Sequence, residues 1–154
     1  MHTNRKFAVL ALAAGLLLNS GLSHATDVYA RKTTAAVSLS AAGGTPVTVL
    51  SVIIPAGTWK VTAKSSVVNF GSGDFARCFV TAATTPTATQ IDSATSFIGG
   101  GIAVATIPNE GIISTTATAT FSLQCQHDSS ISGLYVDPDA KLIVERVSSG
   151  LYSL

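Results

Sequence analysis

Charge is scarce in this chain. Asp, Glu, Lys and Arg together make up 11% of 154 residues, and they are scattered. The sequence contains no basic run, so neither nucleic acid nor an anionic membrane surface has an electrostatic argument behind it. Aromatic residues are 6%, with one tryptophan and three tyrosines, which is thin material for a sugar-stacking platform. Histidine occurs three times and cysteine twice. Apolar positions do not recur every three or four residues, so no amphipathic helix is expected. Beyond the first 25 residues no segment is long and apolar enough to span a bilayer.

The N-terminus has a definite grammar. Arg5 and Lys6 precede an apolar run over 7–18, and small residues Ser23 and Ala25 follow. This is the pattern of a secretory signal peptide over 1–25, cut after Ala25. The apolar run is too short for a spanning helix, which needs about 20 residues. The expected product is periplasmic or extracellular. Removing 25 of 154 residues leaves 129, enough for one domain with a core. Arg5 and Lys6 go with the signal, so seven of the nine basic residues face eight acidic ones, a balance of −1. His2 and His24 go too. His127 is then the sole histidine, and a multi-histidine metal site cannot be built within one chain.

The mature chain has the texture of β-structure: Ala, Thr, Ser, Val and Ile alternate between turn-forming clusters. Residues 26–34 read as a flexible leader, 35–148 as the folded domain and 149–154 as a tail. A first strand is expected over 35–40. The apolar run 46–57 should be buried on both faces or form a homo-oligomer contact. Residues 58–64 give the clearest in/out alternation, with Trp59, Val61 and Ala63 facing the core. Ser65-Ser66 is a candidate bulge, and 71–74 (GSGD) a turn. Strands are expected over 77–83 and 89–98. A short one over 103–107 should end at Pro108-Asn109-Glu110-Gly111. Ile113 to Cys125 share one parity, as in a single long strand. The segments 129–133 and 137–140 read as turns, with a last strand over 141–147. Eight to ten strands at this spacing indicate an all-β antiparallel sandwich of the jelly-roll type.

Cys78 and Cys125 each sit inside an expected strand on a core-facing parity. In an oxidising compartment they should form one disulfide, worth ~4 kcal/mol in the chain-entropy model. Cys125, His127 and Asp128 lie together in FSLQCQHD, residues 121–128. With Cys125 oxidised, His127 has no evident nucleophile to activate, and no G-x-S-x-G elbow is present. The plain alternative is a polar strand end turning into a loop. Most carboxylates sit at turns for local hydrogen-bonding reasons. Asp137 and Asp139, joined by Asp128 if their loops converge, would supply a Ca²⁺ site. No cofactor is otherwise expected. Asp92 falls mid-strand and should be exposed or paired, with Arg77 as its cross-strand partner. His127, Asp128, Tyr135, Asp137 and Asp139 make up the candidate functional surface, and Tyr29 and Tyr152 are the other exposed tyrosines.

The run VIIPAGTWKVTAK, 52–64, resembles the segment of C1q/TNF-like jelly rolls in which an apolar strand and a Pro-x-Gly turn precede an aromatic alternating strand. ISGLYVDPD, 131–139, resembles their late Ser-Gly-aromatic segment. Together with the two cysteines, these runs are also similar to small secreted bacterial jelly-roll proteins. The chain departs from C1q proteins in lacking a Gly-X-Y stem and in carrying a further strand after 131–133. The resemblance implies a jelly roll with a binding or structural role and supplies no catalytic residues. The expected function is a secreted, non-enzymatic binding or surface-structural module, with a carbohydrate or cell-surface protein as partner. A small extracellular hydrolase using His127 or a carboxylate pair is the first alternative. A pilin-like subunit completed by strand exchange is the second, and it requires an open apolar groove.

Overall fold

A computed structural model describes residues 27–84 and 87–147. The expected signal peptide with its expected cleavage site, residue 26 of the leader, and the tail with Tyr152 lie outside the described residues. Ten strands form two antiparallel sheets: β1 (Val28–Lys32), β2 (Val37–Ser38), β3 (Val47–Ile54), β4 (Gly57–Asn69), β5 (Asp74–Thr84), β6 (Thr87–Ile98), β7 (Ala103–Thr115), β8 (Ala119–His127), β9 (Leu134–Val136) and β10 (Lys141–Arg146). One sheet carries β1-β10-β4-β9-β2, with β7 on the other side of β4. The other runs β3-β8-β5-β6. The two face each other as a jelly-roll sandwich, the fold class expected from the alternation.

The core follows from parity. Trp59, Val61, Ala63 and Val67 of β4 face Cys78 and Val80 of β5 and Phe121, Leu123 and Cys125 of β8, all buried. Trp59 is sealed by the Tyr29 ring at 5.6 Å and by the Arg146 guanidinium 4.6 Å above its own ring. Tyr29 belongs to β1, in the segment expected to be a loose leader. Instead, residues 28–32 pair with β10 along their whole length, because Tyr29 has the exposed side of Trp59 to cover.

Several local expectations give way to tertiary pairing. Ser65-Ser66 does not bulge: β4 pairs with β7 in unbroken register, and Ser65 is buried with its hydroxyl 3.1 Å from Cys78 Sγ. Pro108 does not end β7. That strand pairs only with β4, and an edge strand tolerates a missing N–H on its free side. Gly111 is needed there, since a Cβ would lie 2.6 Å from Ile91 Cγ2 on β6. The shared parity of Ile113 and Cys125 spans two strands. β7 ends at Thr115 and β8 starts at Ala119 in the opposite sheet, so both keep the same inward side across a sheet change. Residues 134–136, unassigned between the two expected turns, are β9.

The apolar run 46–57 becomes β3, an edge strand. Val52 and Ile54 are buried, while Ile53 is 69% exposed. Strands β1 and β3 approach along one seam of the sandwich, and β6 and β7 along the other. Among the described residues the sandwich is thus closed along both seams, and the open groove that strand exchange requires is not found. Cys78 and Cys125 are direct cross-strand partners on β5 and β8 and form the disulfide. The bond is fully buried, which indicates an oxidising environment at folding.

Candidate functional site

His127 is the last residue of β8 and keeps the inward parity of Phe121, Leu123 and Cys125. It is not a surface residue: only 1% of it is exposed. Its Nδ1 lies 3.0 Å from Oδ2 of Asp74, the first residue of β5, and its Nε2 meets the backbone carbonyl of Ser40. A carbonyl can only accept, so Nε2 must donate. Both ring nitrogens are thus turned to acceptors inside the fold, and neither is turned to a nucleophile among the described residues.

Asp74 is 4% exposed and its acceptor capacity is filled. Besides His127, it accepts from the Phe75 N–H at 2.8 Å and from the Ser129 N–H and hydroxyl, both at 3.0 Å. Burial pushes its carboxyl upward; the combined hydrogen bonds from Ser129, Phe75 and His127 outweigh that and hold it below the usual carboxylate range. The Ser129 hydroxyl therefore serves Asp74. The sequence reading missed Asp74 by assigning GSGD to a turn. Its even parity with Ala76 and Cys78 was the available signal.

The turn over 40–44 is tied to the same point. Gly44 N–H donates to the His127 carbonyl at 2.6 Å, and Gly44 takes φ +73. A Cβ on Gly43 would come within 2.2 Å of the Asp128 carbonyl oxygen. Backbone cannot swing aside as a side-chain tip can, so Gly43→Ala should cost about 2 kcal/mol. Urea denaturation of the variant checks this, and an unchanged midpoint would refute the close approach.

The remaining candidates are dispersed. Asp128 is exposed and takes a bidentate pair from Arg77, Nε to Oδ1 at 2.8 Å and Nη2 to Oδ2 at 2.7 Å. Arg77 is therefore not the partner of Asp92. A register shift at Ile91 turns Asp92 towards β7, where it stays half-buried and accepts from Asn109 Nδ2 at 3.2 Å and the Glu110 N–H at 2.9 Å. Asp139, with φ 71, pairs with Lys32 at 2.8 Å. Asp128 and Asp139 thus serve cations of opposite sheets and do not converge with Asp137. No group of three or more His, Cys, Asp or Glu among the described residues is placed to hold a metal ion. Tyr135 stacks on Phe70 at 5.7 Å on the outer face.

Near His127 a shallow cleft of about 500 Å³ is lined by Ala41, Gly71, Ser72, Ser130, Ile131 and Ser132. It holds three serines and no titratable side chain. Large apolar residues are exposed around this end of the sandwich: Phe70, Ile102 and Val104 on one sheet, and the edge-to-face pair Phe75–Phe97 on the other. Among the described residues no helix is long and apolar enough to cross a membrane.

No family model matches the chain, and no curated protein matches it. Solved structures do share its fold. The VP2 subviral particle of infectious bursal disease virus superposes with a TM-score of 0.60 at 15% identity, over 95% of this chain and 38% of that one. The Gx strain of the same virus gives 0.54 at 18% identity, over 82% of this chain and 34% of the viral chain. The chain spans little more than a third of the length of these relatives. At such identities the likeness is one of fold alone: this is a jelly-roll protein, as the C1q/TNF resemblance implied.

Proposed function

We propose that the protein is an exported, non-enzymatic jelly-roll module that works through its outer surfaces as a binding or surface-structural unit. The observation that carries this is the engagement of His127 at both ring nitrogens by acceptors inside the fold. The only histidine available after export is spent on joining β8, the start of β5 and the 40–44 turn. Among the described residues lining the adjacent cleft, its serines have no base. The buried disulfide and the signal-like first 25 residues support export.

Chemical protection of His127 tests the reading. With His2 and His24 gone from residues 26–154, diethylpyrocarbonate has one imidazole to acylate. Native protein should gain no acyl-histidine absorbance at 240 nm until denaturant is added. Rapid acylation of folded protein would reinstate a free base and the hydrolase.

A second reading concerns assembly. Apolar Phe70, Ile102 and Val104 at one end, and Ile53 on the edge strand β3, are surfaces a monomer would tend to cover. The viral relative is a particle-forming chain. We therefore propose a homo-oligomer. Sedimentation equilibrium should give a multiple of the monomer mass, reduced by Ile53→Lys or Ile102→Lys. A strict monomer at all concentrations would reject it.

A further inference from the structure

Three lysines that are remote in sequence meet on the outer face of the larger sheet. Lys32 of β1 lies opposite Lys141 of β10, and Lys141 lies opposite Lys64 of β4. Neighbouring strands are about 5 Å apart, so the row crosses about 10 Å of sheet. Their neighbours along each strand fix their direction. Leu142 and Ala63 are buried, so Lys141 and Lys64 point outward. Like charges placed directly opposite each other are destabilising. Lys32 is paired with Asp139, whose carboxylate also feels the Lys141 charge, while Lys64 makes no ion pair among the described residues. A fold that needed only solubility would not stack its few cations in register.

The row is narrow. Two same-face positions along β4, about 13 Å away, Lys60 pairs with Glu110 at 2.7 Å and lies opposite Glu145. On the other side stands Asp139. A planar anionic bilayer would press its headgroups against these carboxylates. A single anionic chain following the row would not.

Each end of the row opens into a shallow depression. At the β1 end, about 230 Å³ is lined by Ala30, Arg31, Lys32, Lys141 and Ile143. At the β7 end, Lys64 shares a space of about 600 Å³ with Thr62, Pro108, Asp92 and Glu110. Cations at one end and acceptors at the other suit a ligand that has both carboxylates and hydroxyl donors. A polyphosphate has no such donors at neutral pH.

We infer that Lys32, Lys141 and Lys64 form a binding row for a linear acidic polysaccharide, its carboxylates on the lysines and its hydroxyls on Asp92 and Glu110. This deepens the binding-module reading by naming the partner. No hint of it is legible in the sequence, since the three lysines are spread over 110 positions and no basic run exists.

The test is affinity electrophoresis of the full mature chain in gels containing polygalacturonate. Wild type should be retarded, and retardation should fall steeply between about 20 and 200 mM NaCl. Lys64→Gln/Lys141→Gln should bind at least about tenfold more weakly, and melt no lower than wild type because the like-charge contact is gone. Lys64→Arg/Lys141→Arg keeps both charges and should bind within about twofold of wild type, as should the off-row control Arg77→Gln. No retardation of wild type would overturn the proposal, as would equal retardation of the Gln pair. Equal binding to polyphosphate or to phosphatidylserine vesicles would also overturn it. A failure here with His127 still protected from acylation removes this partner and leaves the non-enzymatic reading standing.

Discussion

Replacing Cys78 and Cys125 together by Ala should lower stability by about 4 kcal/mol. The bridge closes a loop with a sequence separation of 47 and joins two central strands of one sheet. Without it the unfolded chain gains the freedom of that loop, while the folded chain keeps its β5–β8 hydrogen bonds. The loss is compounded locally. Ser65 Oγ loses the Cys78 sulfur at 3.1 Å and retains only the Ile107 carbonyl at 3.4 Å. Equilibrium denaturation should show a lower midpoint with an equal or steeper slope, since the uncrosslinked unfolded chain exposes at least as much surface. A midpoint shift equivalent to less than about 1 kcal/mol would refute the entropic role assigned to the bridge. Burial makes a second expectation. Dithiothreitol alone should leave the native bond intact, and two thiols should become alkylatable only when the sandwich opens. Thiols released in native buffer would mean that the core around Trp59 and Phe121 breathes far more than its packing implies.

The same residues mark what a single sequence could reveal. Inward parity was legible at Trp59, Val61, Cys78, Phe121 and Cys125, because alternation reports which side of a strand meets the core. The disulfide followed from that parity and from the expectation of export. What failed was punctuation. Pro108 and Gly111 read as a stop, yet they continue β7 because the strand lies at an edge and Ile91 packs against the glycine. Asp74 read as a turn residue, yet it opens β5 and is buried. Both errors arise where tertiary partners supply what local propensity lacks. The lysine row could not be read at all: it exists only once β1, β10 and β4 are in register. The same holds for Asp92, whose turn towards β7 depends on one extra residue in β6.

Removing either member of the Asp74–His127 pair should cost about 3 kcal/mol at neutral pH, because each would leave the other buried without its partner. Asp74→Asn keeps shape and loses charge. His127→Ala also vacates space at the end of the core and frees the Ser40 carbonyl. A histidine held in reserve for catalysis behaves otherwise, since removing it usually leaves stability unchanged or improved. The pH dependence separates charge from shape. The folded Asp74 carboxyl lies below its ordinary value of 3.8, with burial raising it and the larger sum of hydrogen bonds from Ser129, Phe75 and His127 lowering it. A folded pKa depressed below the unfolded one gives stability that is complete above the unfolded value. That stability is lost as pH falls through the folded value. Wild type should therefore lose this contribution in strong acid, and Asp74→Asn should lack that part of the pH slope. The gap between the two should be widest above about pH 5 and should narrow below pH 4. The double variant Asp74→Asn/His127→Ala should cost less than the two single variants combined, since the pair acts as a unit. Additive losses, or an Asp74→Asn protein as stable as wild type at pH 7, would show that the contact holds nothing together and would return His127 to the list of residues still in search of a role.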